Sequence, residues 1–285
     1  LNLTQPMKIQ AAGSGYEGLH DYGSFLLIGL PKKGQTLDEV KALMLNQVAK
    51  LRRGEFDDSL LPSIINNYKV QQYRALESNS ARANKFVDAF INEQKWSDVV
   101  TRLDRISHIT KAQIVAFANR YLGDNNYITV YKRQGVDSTQ KKIDKPAITA
   151  IPSNREYQSK FVAEIKDSKV EPIQPQFVDF KRDLTFSKTK KGLPVIYRHN
   201  SDNGLATLVL YWRMGIAADK RYSVAADYLD YIGTQTRTLA QIKKELYSLG
   251  CSTSFITNDD DIYIIISGLD ESMPKALALT EDIMH

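Results

Sequence analysis

The stretch from residue 134 to residue 180 has neither helical nor strand periodicity, and it divides the 285-residue chain into two parts. Four of the nine prolines fall within it: Pro146, Pro152, Pro172 and Pro175. A structureless run of this length is uncommon inside one domain and usually marks a linker. The sequence therefore predicts two separate folded parts rather than one continuous domain.

The formal net charge of +5 belongs to residues 133–191, which contain this stretch and its basic flanks. Between Arg133 and Lys191 there are 13 Lys/Arg and 8 Asp/Glu residues, and the rest of the chain carries equal numbers of each sign. Single-strand-binding proteins interleave aromatic residues with basic ones. Residues 133–191 do not show this interleaving. We therefore expect a solvated linker and no nucleic-acid partner. No apolar run is long enough for a membrane span, and the single cysteine, Cys251, excludes an intrachain disulfide.

The sequence before residue 134 predicts a strand followed by a block of helices. Phe25–Leu30 is a short apolar run ended by Pro31, which favours a buried strand. Capping-box signatures at Thr36 and Thr110 predict helix starts. Further helical patterns include Leu60–Tyr68, Ala81–Ile91 and Trp96–Leu103, and the β-formers Tyr127–Tyr131 predict a closing strand.

The sequence after residue 180 predicts an alternation of strands and helices. Residues Thr185–Tyr197 indicate a hairpin, and Leu205–Trp212 is nearly continuously apolar, as in strands buried on both faces. Two helices follow, the second with a capping box at Thr238 and a stop at Gly250. Another strand is predicted at Ile262–Ile266, and one more helix begins at Pro274 and runs to His285.

The candidate site is the pentapeptide Asp227-Tyr-Leu-Asp-Tyr231. Gly215–Asp219 leads into it, Ile232-Gly-Thr234 follows it, and Leu239–Gly250 is the next helix. This succession resembles the insulinase/pitrilysin family of zinc metallopeptidases, the inverzincins, whose metal helix carries H-x-x-E-H. In that family a glycine and an acidic residue precede the metal helix, a Gly-Thr ends it, and a second helix closes on Leu-Gly. The segment Ile109–Arg133 also resembles the long bacterial members.

The pentapeptide has Asp227, Asp230 and Tyr231 where the family has its two histidines and glutamate. In a helical H-x-x-E-H the residues at i and i+4 share a face, so two imidazoles reach one metal while the glutamate activates a water. A phenol with a pKa of about 10 is a poor zinc ligand at neutral pH. The histidines of the chain are far apart in sequence: His20, His108, His199 and His285.

We therefore expect no catalytic, metal-binding or cofactor-binding residue in this segment. The interpretation of Asp227 and Asp230 as polar or capping carboxylates is favoured over a residual metal or substrate role. Zinc, as the resemblance implies it, belongs to the first domain of the parent enzyme and not to this segment.

The resemblance implies an α+β fold made of partial repeats of a mixed β-sheet with helices packed on one side. Residues 1–135 would be the C-terminal part of the second peptidase-family domain, and 136–180 the linker between the two halves. Residues 181–285 would be the N-terminal part of the third, degenerate domain. The implied partners are the remainder of the parent polypeptide and its peptide substrate. A periplasmic or cell-envelope location is implied by resemblance alone.

The leading interpretation is a non-catalytic central segment of a zinc-dependent metalloendopeptidase, forming chamber wall and hinge and inactive by itself. The alternative is a scaffold or regulatory subunit that resembles the peptidases but is catalytically silent. A third interpretation is an unrelated α+β binding module. An H-x-x-E-H motif in a preceding domain would discriminate the first two. Because half of a sheet leaves unpaired strand edges, we expect the isolated segment to form a homodimer or to swap strands.

Overall fold

The computed structural model describes the chain except for residues 1, 5, 137, 138, 140, 142, 152 and 285. Pro152 and His285, both named in the sequence interpretation, therefore lie outside the described residues. The chain divides into two units, one formed by residues 1–130 with 200–285 and the other by residues 131–199. Helices and small antiparallel sheets alternate along the described chain, which confirms the predicted α+β class. Among the described helices, none combines the length and apolar character that crossing a bilayer requires.

The first unit begins with a β-ribbon followed by six helices. Its elements are β1 (Ala11–Gly18), β2 (Gly23–Leu30), α1 (Leu37–Arg52), α2 (Leu60–Leu76), α3 (Asn79–Ile91), α4 (Trp96–Val100), α5 (Arg102–Ser107) and α6 (Lys111–Tyr121). Both predicted capping boxes are present, at the starts of α1 and α6. At α1, the Glu39 N–H donates to Thr36 Oγ1 over 3.2 Å, and the Thr36 N–H donates to the Glu39 carboxylate over 2.8 Å. These reciprocal bonds satisfy N–H groups that a helix start leaves unpaired.

The predicted buried strand is instead an exposed ribbon. β1 and β2 pair antiparallel from Ala11↔Leu30 to Gly18↔Gly23. Phe25, Leu26 and Ile28 remain about half exposed, at 50%, 55% and 53%. The packing of α1 on β2 is close at Gly29, where an added Cβ would lie 2.6 Å from Val40 Cγ1. β2 is apolar on both faces, but a two-stranded ribbon with one helix packed on it leaves one face uncovered. The prediction that this strand is buried was therefore wrong.

The predicted strand Tyr127–Tyr131 is absent from the described structure. The segment has no strand pairing, and Ile128 and Val130 are 90% and 87% exposed. β-forming residues make a strand only when a neighbouring strand supplies hydrogen bonds and packing. The composition of the segment was therefore not sufficient evidence for a strand.

Among its described residues, the second unit contains one short helix and one hairpin. Its elements are α7 (Lys160–Asp167), β3 (Thr185–Lys188) and β4 (Pro194–Tyr197). The hairpin confirms the prediction, and its turn includes Gly192 at φ +84°, a conformation that glycine adopts readily. The helix α7 was not predicted. Ser159 caps its start by accepting a hydrogen bond from the Val162 N–H over 3.3 Å.

The first unit resumes with a three-stranded sheet and three helices. Its elements are β5 (Leu205–Trp212), α8 (Arg221–Leu229), α9 (Leu239–Leu249), β6 (Cys251–Thr257), β7 (Ile262–Leu269) and α10 (Met273–Met284). The strand order is β5-β7-β6, all antiparallel, so β5 lies at an edge. Alternate residues of β5 are exposed, including Val209 at 47% and Tyr211 at 48%. The prediction that β5 is buried on both faces was therefore wrong.

The main hydrophobic core lies between this sheet and α9 and α10. Its buried members are Ile242, Leu246, Cys251, Ile266, Ala276, Leu279 and Ile283. The helix α9 ends as predicted at Gly250, which has φ +62° and leads directly into β6. The chains at Gly250 and Gly268 pass so close that a Cβ on Gly268 would overlap the Gly250 carbonyl oxygen. Burial also raises the pKa of the Cys251 thiol, in agreement with a structural role for that residue.

Polar contacts join α2 to the C-terminal end of α9. Asn66 Nδ2 donates to the Ser248 carbonyl over 2.9 Å, and Asn67 Nδ2 donates to the Tyr247 carbonyl over 2.6 Å. These carbonyls belong to the last turn of α9, where i+4 N–H donors are missing, although the Tyr247 carbonyl also accepts a hydrogen bond from the Gly250 N–H over 3.1 Å. An ion pair between Lys244 Nζ and Asp57 Oδ2, 2.6 Å long, lies at the same junction. The hydrogen bond from Lys244 lowers the pKa of the Asp57 carboxyl.

We predict that Gly268→Ala destabilises the first unit by about 1–3 kcal/mol, because the new methyl group overlaps backbone atoms that cannot rotate away. The added Cβ would also lie 2.7 Å from Cys251 Cα. The control is Gly13→Ala, another strand glycine, which has open space around its Cβ position. Urea unfolding measures both variants. Equal midpoints for the two variants would contradict the close packing of β7 against the α9–β6 turn.

We also predict that Asn67→Ala lowers the free energy of unfolding by about 1 kcal/mol, since it removes the hydrogen bond to the last turn of α9. The matched control is Asn84→Ala on the exposed surface of α3. Thermal unfolding followed by circular dichroism gives both values. A loss as large in Asn84→Ala as in Asn67→Ala would show that the effect does not come from the α2–α9 junction.

Candidate functional site

The three motif positions lie at the C-terminal end of α8. Asp227 is in the last turn, Asp230 is the C-cap residue, and Tyr231 follows it. The Asp230 N–H donates to the Asp227 carbonyl over 3.3 Å, and the Tyr231 N–H donates to the Tyr228 carbonyl over 2.9 Å. These bonds span three residues rather than four, so the chain tightens into a 3₁₀-like turn where the motif ends.

All three motif side chains are exposed. Tyr231 is 76% exposed, and Asp227 and Asp230 are also on the surface. None of the three makes a side-chain hydrogen bond or ion pair with another described residue. Both carboxylates lie where the partial charge of a helix terminus is negative, so the helix itself does not favour them there. Neither is placed to cap the helix start.

A different acid, Asp219, lies directly before Lys220, the N-cap residue of α8. Its Oδ1 accepts a hydrogen bond from the Arg221 N–H over 2.9 Å, and the Arg221 guanidinium binds both carboxylate oxygens. The hydrogen bonds from Arg221 lower the pKa of Asp219. Asp219 is the acidic residue of the lead-in Gly215–Asp219, so this part of the sequence pattern positions the helix.

The lead-in itself is held by the turn between β6 and β7. The N–H groups of Ile216 and Ala217 donate to the carbonyls of Asn258 and Asp259, each over 2.9 Å. At Gly215 an added Cβ would lie 2.6 Å from the Asp259 carbonyl carbon and closer still to the Asn258 oxygen. Only a residue without a side chain fits this close approach of two backbones. The glycine of the pattern is therefore required by packing.

The residues after the motif form a turn that is fixed by charge. Arg237 pairs with Glu245 of α9 over 3.2 Å and with Asp282 of α10 over 2.6 Å. Asp282, and to a lesser extent Glu245, raise the pKa of the Arg237 guanidinium. The Thr234 N–H also donates to the Arg237 carbonyl over 2.8 Å. Sequence analysis missed this cluster, because Asp282 is far from Arg237 along the chain and no local pattern joins them.

A shallow groove of about 350 Å³ lies beside this turn, between α9 and α10. It is lined by Arg237, Glu245, Ser248, Leu249, Lys275, Ala278 and Leu279. The three motif residues are not among them. The structure therefore does not bring the motif positions and this groove together.

The described histidines each have local partners. His20 Nδ1 lies 2.6 Å from Asp21 Oδ1 and its Nε2 lies 3.2 Å from Glu93 Oε2. The Nδ1 atom of His108 lies 2.8 Å from the Asp104 carbonyl oxygen, and that of His199 lies 3.2 Å from the Tyr197 hydroxyl. Over the part of the chain that the structure describes, no three His, Cys, Asp or Glu side chains converge on a point where they could share a metal ion.

Comparison with known proteins finds similarity in solved structures alone: no protein-family model and no curated protein sequence matches the chain. One similar structure is the periplasmic protease PqqL from Escherichia coli, at 10% identity and a TM-score of 0.33 over 96% of this chain. Another is a variant of the ferredoxin protease FusC in complex with Arabidopsis ferredoxin, at 10% identity and a TM-score of 0.34 over 96% of this chain. The chain spans about a third of the length of each, 33% in both cases.

Proposed function

We propose that this chain is a non-catalytic segment of a zinc-dependent metalloendopeptidase of the insulinase/pitrilysin type, contributing wall and hinge to its substrate chamber. The observation that carries the proposal is the end of α8. There Asp227, Asp230 and Tyr231, which the sequence resemblance aligns with the family's zinc motif, face solvent. The remainder of the parent polypeptide would supply the zinc and the general base.

The chemistry of these side chains supports a passive role. Zinc activation of a water needs ligands that hold the metal while one coordination position stays open. Asp227 could supply one carboxylate oxygen, but the phenol of Tyr231 stays protonated near neutral pH and is a poor second ligand. With no imidazole in the pentapeptide, the segment has no means of generating a metal-bound hydroxide there.

The junction between α2 and α9 is where the proposed hinge motion would act. It joins residues from the parts of the chain before and after the predicted linker at 136–180. Its contacts are side-chain amides on helix carbonyls and the Asp57–Lys244 ion pair. Polar contacts of this kind can exchange with water at small net cost. Reversible opening about this junction would admit a peptide to the chamber and release its products.

We predict that the purified chain contains far less than one zinc per molecule and shows no chelator-sensitive hydrolysis of an extended fluorogenic peptide. Mass spectrometry of the metal content after dialysis against zinc, and hydrolysis with and without 1,10-phenanthroline, provide the measurements. Stoichiometric zinc with chelator-sensitive cleavage would refute the passive role. A polypeptide that includes this chain but also lacks zinc would favour the scaffold or regulatory subunit over the peptidase.

Restoring two imidazoles tests the assignment of the motif positions directly. One double variant carries Asp227→His and Tyr231→His, and the control double variant carries Asp227→His and Tyr228→His. We predict that the first binds Zn²⁺ at least tenfold more tightly than the control, a difference in binding free energy of about 1.4 kcal/mol. Residues at i and i+4 lie on one helix face, whereas residues at i and i+1 do not. Titration calorimetry measures both. Equal affinities would mean that the tightened end of α8 does not have the geometry of a zinc motif.

A further inference from the structure

The loop that leads into β5 contains the dipeptide Asn203-Gly204, which is the one Asn-Gly pair in the sequence. An asparagine followed by glycine is open to an intramolecular reaction, in which the glycine backbone nitrogen attacks the carbon of the side-chain amide. Glycine permits this approach because it has no Cβ beside the attacking nitrogen and few conformational limits. The reacting groups belong to adjacent residues, so the attack has the advantage of an intramolecular reaction.

The attacking nitrogen has no competing hydrogen bond. Among the described residues no acceptor binds the Gly204 N–H, although the Gly204 carbonyl accepts a hydrogen bond from the Asp270 N–H over 3.0 Å. The amide oxygen Oδ1 of Asn203 accepts hydrogen bonds from the Leu205 N–H over 3.0 Å and from Asn200 Nδ2 over 2.8 Å. The bond to a residue two positions on folds the Asn203 side chain back toward its own backbone.

The leaving nitrogen of the same amide is held by a residue of α2. Asn203 Nδ2 donates a hydrogen bond to Glu77 Oε1 over 2.9 Å, and Glu77 is the C-cap residue of α2. Hydrogen bonds to a charged acceptor are stronger than those between neutral groups. This bond must break before the nitrogen can leave as ammonia, so Glu77 restrains the reaction. Both residues belong to the unit formed by residues 1–130 and 200–285.

We propose that Asn203 is a site of spontaneous deamidation, which Glu77 restrains and whose product breaks the contact between α2 and the start of β5. A bond forms from the Gly204 nitrogen to Asn203 Cγ, the Cγ–Nδ2 bond breaks, and the Gly204 N–H proton leaves with the nitrogen as ammonia. Water then opens the cyclic imide at either carbonyl. One opening gives an aspartate at position 203, and the other gives an isoaspartate, whose backbone is longer by one carbon. One water is consumed and one ammonia released.

Either product disturbs the contact with α2. The aspartate has an acceptor where Asn203 has its donor, so two carboxylates would face each other at the C-terminal end of α2. Like charges repel, and the partial negative charge of the helix terminus adds to the repulsion. The isoaspartate lengthens the backbone directly before Gly204, which lies against α2: a Cβ at Gly204 would be 3.5 Å from Tyr73 Cε2.

Peptide mapping by mass spectrometry, during incubation of the folded chain near neutral pH, measures the reaction. Trypsin releases residues 199–213, which contain both Asn200 and Asn203. Asn200 is a matched comparison, because its Oδ1 also accepts from an N–H two residues on, that of Asp202, over 3.0 Å. Its following residue is Ser201, which has a Cβ. We expect Asn203 to deamidate at least about tenfold faster than Asn200.

Gly204→Ala tests the route through the cyclic imide. The added Cβ has no neighbour closer than 3.5 Å, and the φ of Gly204 lies outside the left-handed region, so the variant fits the fold. It should slow the deamidation of Asn203 at least about tenfold, because the methyl group obstructs the attacking nitrogen. Circular dichroism checks the fold of this variant and of those below.

Glu77→Ala tests the restraint. Without the acceptor on α2, the Asn203 amide is free to turn, and we expect its deamidation to become at least about threefold faster. The control is Asp88→Ala, which removes the same charge from the exposed surface of α3. It should leave the rate within about twofold. An unchanged rate in Glu77→Ala would show that Glu77 does not restrain the reaction.

Asn203→Asp supplies the product directly. Urea unfolding should give it a lower midpoint than the unaltered chain. In a Glu77→Gln background at least about half of that loss should be recovered, because the glutamine amide donates to the new carboxylate.

The proposal fails on any of three further results. The first is an Asn203 that deamidates no faster than Asn200 in the unaltered chain. The second is a deamidation rate that Gly204→Ala does not lower, since the reaction would then not pass through the cyclic imide. The third is an Asn203→Asp midpoint equal to that of the unaltered chain, or a loss that Glu77→Gln does not reduce.

Discussion

The left-handed turn at Gly250 is the point at which four elements of the first unit meet. The residue ends α9 and leads directly into β6, and its carbonyl accepts a hydrogen bond from the Leu269 N–H of β7 over 3.3 Å. Gly268 of β7 and Asn66 of α2 both approach it closely, and a Cβ at Gly250 would lie 3.3 Å from Asn66 Cβ. A side chain at Gly250 would be strained by its φ of +62°, and one at Gly268 would overlap backbone. The sheet, α9 and α2 therefore keep their positions only because two glycines face each other here.

The candidate site depends on that arrangement indirectly. The turn between β6 and β7 holds the lead-in to α8, because its Asn258 and Asp259 carbonyls accept hydrogen bonds from Ile216 and Ala217. The opposite side of the motif is held by Arg237, which binds carboxylates of α9 and α10. The motif end of α8 is thus positioned by its flanking turns and not by contacts of its own side chains.

Local sequence signals predicted much of the helical structure. The capping boxes at Thr36, Thr110 and Thr238 each start a helix as expected, because the bonds involved join residues three apart. The strand predictions were less accurate. Tyr127–Tyr131 forms no strand in the described structure, and β5 is half exposed at an edge instead of buried on both faces. Strand pairing and burial depend on residues distant in sequence, which composition does not report.

By itself the sequence determined the helix starts, the glycine stop at Gly250 and the residue types at the motif, because each depends on near neighbours in the chain. It also placed Asp227, Asp230 and Tyr231 together after a glycine lead-in. Only the tertiary structure decided that these side chains face solvent at a tightened helix end. It alone identified the Arg237–Asp282 pair, the amide bonds from α2 to α9 and the edge position of β5 in its sheet. Those features join residues far apart in sequence, and their formation depends on how the elements pack.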